Sequence, residues 1–99
     1  MIGCIIQARM GSIRLPGKVM KKLDENYTVL HYVIEQISNS KLIDKIVIAT
    51  TTLKEDDVIV DLAKKIHVDF FRGDSQDVLD RYYQCAKHFS FSTIVRITS

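Results

Sequence analysis

The chain alternates short, β-branched apolar runs with longer segments whose apolar residues recur at helical spacing, and this restricts its folds more than any other feature. Ile2 to Ile6 is a continuous apolar run too short for a helix, as expected of a strand buried on both faces. Val29, Leu30, Val33, Ile34 and Ile37 then make one helical face, ended by Ser38, Asn39 and Ser40. Ile46 to Ala49 reads as a second strand, followed by three threonines, Thr50 to Thr52. Thr52 and Glu55 have the spacing of a capping box that would open a second helix. Its apolar face is Val58, Ile59, Leu62, Ala63 and Ile66, with Glu55, Asp56 and Asp57 at the start and Lys64 and Lys65 at the end complementing the helix dipole. Val68 to Phe71 is a short third strand, and Gly73 permits a tight turn after it. Val78, Leu79, Tyr82, Tyr83, Ala86 and Phe89 form the stripe of a third helix, and Thr93 to Ile97 reads as a fourth strand. The order β-α-β-α-β-α-β predicts an α/β fold of three layers, a parallel Rossmann-like half-sheet with helices on both faces.

With 99 residues, 46% hydrophobic and 26% charged, the chain has room for a single domain, residues 1–99, with a packed core. A net charge of +2 is too small to argue for nucleic acid or an anionic membrane as a partner, so any anion site must be local. The apolar run at Met1 to Ile6 is broken by Gln7 and Arg9, far short of the ~20 residues needed to span a bilayer, and the expectation is a cytoplasmic protein. Cys4 and Cys85 lack the paired spacing of a zinc or redox site and are expected to be buried free thiols. His31, His67 and His88 fall on different elements and are expected to be structural, with no metal site among them.

In parallel α/β sheets ligands bind beyond the carboxyl ends of the strands, where strand order reverses. Position thus nominates Gln7 to Lys18, Thr50 to Thr52, Arg72 to Asp77, and Thr98 and Ser99. The first segment reads Gln-Ala-Arg-Met-Gly-Ser-Ile-Arg-Leu-Pro-Gly-Lys, uniting Gly11, Gly17 and Ser12 with Arg9, Arg14 and Lys18. Glycine allows backbone N–H groups to approach an anion, arginine offers two-point hydrogen bonding and lysine a compact charge, the mixture a phosphate cradle requires. The spacing is that of neither a Walker loop nor a dinucleotide fingerprint, since Gly11 and Gly17 are separated by five residues and Val19 stands where a magnesium-binding hydroxyl would be. Composition alone is equally compatible with an ordinary exposed loop.

The string Ala8-Arg9-Met10-Gly11-Ser12-Ile13-Arg14-Leu15-Pro16-Gly17-Lys18 directly after the first strand resembles the signature of the cytidylyltransferase family. Lys41-Leu42-Ile43-Asp44, Ile48-Ala49-Thr50-Thr51, Arg72-Gly73 and Asp77-Val78-Leu79-Asp80-Arg81-Tyr82-Tyr83 resemble in particular its spore coat polysaccharide biosynthesis protein F branch, and the similarity runs through essentially the whole chain. The resemblance implies a triphosphate, that of CTP, held by Ala8 to Lys18. Arg9, Arg14 and Lys18 would make the charge contacts, Gly11 and Ser12 would donate hydrogen bonds, and Ala8 and Thr50 would lie near the base or ribose. Arg72, Asp77, Asp80 and Arg81 could line the same mouth, although Asp74 or Ser75 as the cap of the third helix and Asp77 as its dipole partner is the simpler account.

The implied reaction is attack of a sugar hydroxyl on the α-phosphate of CTP, releasing pyrophosphate, with magnesium as cofactor. In the family the magnesium ligand is an aspartate in a Gly/Ser-Asp-x-Pro segment that would follow Ser99. The resemblance therefore implies that these residues are the N-terminal nucleotide-binding half of a longer nucleotidyltransferase, inactive alone. A non-catalytic nucleotide-binding or assembly module that keeps only the fold is the alternative. A half-sheet of this kind would expose apolar surface and a strand edge, so a homo-oligomer is expected.

Overall fold

The computed structural model describes residues 1–11, 20–22 and 27–98. They form four strands and three helices: β1 (Ile2–Gln7), α1 (Val29–Ser38), β2 (Lys45–Thr51), α2 (Asp57–Lys65), β3 (Asp69–Gly73), α3 (Val78–His88) and β4 (Thr93–Thr98). The sheet is parallel throughout, in the order β3-β2-β1-β4. The chain steps outward from β1 to β2 to β3 and then crosses back to place β4 on the free side of β1. Right-handed crossovers put the connections of these opposite steps on opposite faces.

The two cores show that division. Cys4, Ile6, Ala8 and Ile48 pack against Leu30 and Ile34 of α1 and Ile59, Leu62 and Ala63 of α2. On the other face, Ile5, Val47 and Ala49 pack against Tyr82, Cys85 and Ala86 of α3. Alternate residues of β1 thus enter opposite cores, which is why its sequence is a continuous apolar run rather than an alternation. The three-layer α/β architecture is the expected one, and both cysteines are buried free thiols.

Several local expectations are corrected. The Thr52–Glu55 capping box does not form: a 3₁₀ turn at Lys54–Asp56 precedes α2, and neither Leu53 nor Asp56 makes a side-chain cap hydrogen bond to the helix start. The Asp56 carboxylate is engaged elsewhere. On α2, Val58 is exposed and Val60 is buried in its place. The buried stripe of α3 is Arg81, Tyr82, Cys85 and Ala86, whereas Val78, Leu79 and Tyr83 are exposed. Asp77 caps α3 by accepting from the Asp80 N–H at 3.0 Å, and Asp74 instead accepts from the N–H groups of Gln76 and Asp77 in the preceding turn.

Both α2 and α3 end in the same way. His67 and Ser90 have φ of 59°, and beyond them the Val68 and Phe91 N–H groups donate back to the carbonyls of Ala63 and Ala86. These are Schellman-type stops, built with a non-glycine residue in the left-handed position. Each directs the chain from its helix toward the next strand.

Candidate functional site

Strand order reverses at β1, between β2 and β4, so the mouth of interest lies where β1 ends. Gln7 is level with Ala49 on one side and Thr98 on the other. One residue on, the Ala8 N–H donates to the Ala49 carbonyl at 3.0 Å, extending β1 by one bond and burying Ala8. Arg9 then turns into solvent.

The chain leaving β1 is next tied to β2 by a carboxylate. The Met10 N–H donates to Asp56 Oδ1 at 2.7 Å, the Thr51 hydroxyl donates to Asp56 Oδ2, and the Leu53 N–H donates to Thr51 Oγ1 at 3.1 Å. Asp56 is fully buried. Glu55 stands beside Gly11 so closely that a Cβ there would lie 3.0 Å from Glu55 Oε1. A side chain at position 11 would require the exposed Glu55 carboxylate to shift slightly.

The second buried charge at this end of the sheet is Arg81, 1% exposed. Its Nη1 donates to the Asp74 carbonyl at 2.6 Å, while Nε and Nη2 have no hydrogen-bond partner among the described residues. Its stem lies against Gly73, where a Cβ would meet Arg81 Cγ at 3.0 Å. Burial, and next the neighbouring positive charge of Arg9, push the guanidinium pKa below its ordinary value; Asp56, Tyr82 and Asp74 act in the opposite direction. The exposed Arg9 charge thus reaches the buried Arg81. An anion between or beside them would be stabilised by both.

Of the residues nominated from sequence, Ala8, Arg9 and Gly11 lie together at the end of β1. Thr50 lies on the adjacent strand with its hydroxyl buried and without a hydrogen-bond partner among the described residues. Ser12, Arg14 and Lys18 lie outside the described residues. Arg72 is committed to the chain itself: Nε donates to the Thr51 carbonyl at 2.7 Å, Nη2 to the Leu53 carbonyl at 2.8 Å, and Nη1 pairs with Asp57 Oδ1 at 2.8 Å. The histidines stay apart, and among the described residues no cluster of three or more His, Cys, Asp or Glu side chains could hold a metal ion.

Sequence reasoning missed Asp56 and the burial of Arg81. Asp56 looked like one of three acids at a helix start, and nothing in its spacing points to Met10, 46 residues away. Arg81 had a usable signal, since Tyr82 and Cys85 lie one and four positions after it, on the same helical face.

A profile of the cytidylyltransferase family matches residues 3–99. The chain is 48% identical over 94 residues to an uncharacterized protein of Methanocaldococcus jannaschii, an alignment covering 95% of this chain and 38% of that protein. It is 39% identical over 97 residues to the spore coat polysaccharide biosynthesis protein SpsF of Bacillus subtilis, covering 95% of this chain and 40% of that protein. Its fold superposes on a cytidylyltransferase structure from Leptospira borgpetersenii with a TM-score of 0.91 at 40% identity, covering 98% of this chain and 40% of that one. The chain spans about 40% of the length of these relatives. No helix of the described residues is long and apolar enough to cross a membrane.

Proposed function

The chain belongs to the cytidylyltransferase family, and from that premise we propose that it forms the nucleotide-binding half of an enzyme transferring CMP from CTP to a sugar for surface polysaccharide synthesis. The observation that carries the reading is the placement of exposed Arg9 at the exit of β1, where strand order reverses, directly before the Gly11–Lys18 stretch with its further cations. A cation-rich strand exit at this position suits an anionic ligand, and a triphosphate is the anion the family uses. The polysaccharide assignment draws on the similarity to SpsF.

In the proposed reaction the sugar hydroxyl oxygen attacks the α-phosphorus, the bond to the β-phosphate oxygen breaks, and pyrophosphate leaves. Arg9, Arg14 and Lys18 bind and orient the triphosphate, and their charges offset the negative charge that builds on its oxygens in the transition state. Gly11 and Ser12 supply close hydrogen bonds, and Ala8 and Thr50 border the base or ribose. Magnesium, the cofactor the family resemblance implies, would supply further charge neutralisation on the triphosphate; no described residue is assigned to hold it.

Calorimetric titration with CTP, compared with ATP, GTP and UTP, tests the reading. CTP binding by the wild type that weakens at least about tenfold in Lys18→Ala is the expected result, a loss equal to one charge-assisted contact. Absence of CTP binding, or equal binding by the variant, overturns it. Pyrophosphate release by these 99 residues alone is expected to be negative. Sedimentation of the purified chain checks the proposed homo-oligomer.

A further inference from the structure

We propose that Asp56 is a positioning residue for the anion site: its buried carboxylate fixes where the chain leaving β1 turns, and so where Arg9 and Gly11, on either side of Met10, stand. The inference rests on the nucleotide-binding reading above and adds a residue to it. The geometry is specific. Oδ1 accepts from the Met10 N–H at 2.7 Å and Oδ2 accepts from the Thr51 hydroxyl, so one side chain joins the exit of β1 to the end of β2. Met10 lies between Arg9 and Gly11, the first two residues nominated for anion contact, and Ser12, Arg14 and Lys18 follow in the chain. Holding this amide holds Arg9 and Gly11 beside the end of β2.

A buried carboxylate near a cationic site would ordinarily be a disadvantage, because its negative charge opposes anion binding. Its hydrogen bonds are the compensating gain. Charge and positioning therefore predict opposite outcomes when the carboxylate is removed. If Asp56 acted only through its charge, deleting it would strengthen binding of an anion. If it acts by holding Met10, deleting it weakens binding, and an uncharged side chain that keeps the oxygen acceptor restores it.

Asp56→Ala removes both bonds, whereas Asp56→Asn keeps an oxygen for the Met10 N–H and presents an N–H to the Thr51 hydroxyl oxygen. Titrations with CTP and with inorganic tripolyphosphate are expected to show affinity at least about tenfold weaker in Asp56→Ala. Asp56→Asn is expected to bind as tightly as the wild type or more tightly. In the ligand-free protein, amide exchange at Met10 should be slow in wild type and Asp56→Asn and fast in Asp56→Ala. If Asp56→Ala does not fold, Thr51→Val, which removes the hydroxyl that steadies Oδ2 and accepts from the Leu53 N–H, loosens the carboxylate that holds Met10 and is expected to weaken binding and to speed Met10 exchange, each by less than the loss of the carboxylate itself. Unchanged or tighter binding by the alanine variant, or by Thr51→Val where it stands in, overturns the proposal. So does Met10 exchange in Asp56→Ala as slow as in the wild type, or, where Thr51→Val stands in, no faster exchange than in the wild type. A wild type that binds neither CTP nor tripolyphosphate overturns the nucleotide reading and the affinity claim with it. That failure is distinguishable, because Met10 exchange is read without ligand.

Discussion

The ring of Phe91 covers Gly3 so closely that a Cβ on Gly3 would stand 2.2 Å from Phe91 Cδ2. Gly3 lies on central strand β1, and Phe91 packs against the core beneath α3, with its position set by the Phe91 N–H bond to the Ala86 carbonyl. Gly3→Ala forces the ring or the strand to move and is expected to cost about 1–3 kcal/mol, the range for overpacking a core. Combining it with Phe91→Leu should recover part of the loss, because the two sites share one space. Urea midpoints of the two single variants and the double variant measure both effects.

Cys85 is buried beneath the sheet, and burial pushes its thiol pKa up to about 12 from the ordinary 9.0. The thiolate is disfavoured in the folded protein, so alkylation at pH 8 should be slow until the protein unfolds. Because the folded pKa is the higher one, the folded state binds more protons than the unfolded state between these values. Its stabilising contribution is complete below pH 9 and declines as pH rises toward 12. Chemical denaturation across that window should show falling stability, with a shallower decline in Cys85→Ala.

Arg72 fastens the end of β3 to the segment after β2 through the carbonyls of Thr51 and Leu53 and the carboxylate of Asp57. Lysine carries the same charge but cannot reproduce the planar fork. Arg72→Lys is expected to lose about 1–3 kcal/mol, most of it from the two carbonyl bonds, since the exposed ion pair contributes little. Thermal unfolding at low and high salt separates these parts: the carbonyl share persists in high salt.

Ser90 ends α3 with φ of 59°, a conformation that costs a residue with a Cβ about 1–2 kcal/mol. Ser90→Gly relieves that cost, at the expense of a more flexible unfolded chain. A net gain of up to about 1 kcal/mol is expected. His67→Gly should behave alike at the end of α2.

The strands and the three-layer arrangement were legible because β-branched runs such as Ile46 to Ala49 have few other uses, and the intervening helices are long enough only for parallel crossovers. The register of α3 was not, because Arg81 is buried where a hydrophobic pattern assigns an arginine to solvent. Its neighbours Leu79 and Tyr83 took the place it should have had. Thr52 and Glu55 matched a motif whose spacing is necessary but not sufficient: the intervening 3₁₀ turn starts the helix two residues after Glu55, at Asp57. Ala8, Arg9 and Gly11 were nominated from a local string and the strand before it. Asp56 depends on a contact between two distant segments, which local spacing does not encode.

The pairing of β1 with β4 also sets a timetable for biogenesis. As the protein emerges from the ribosome, β1 appears well before β4, the neighbour that completes its second edge, which is made only after α1, α2 and α3. At about 5–20 residues per second, the nascent chain spends on the order of several seconds with that hydrogen-bonding edge open to other polypeptides. Yield in cells should therefore depend on translation speed and on chaperones that shield the edge until β4 arrives.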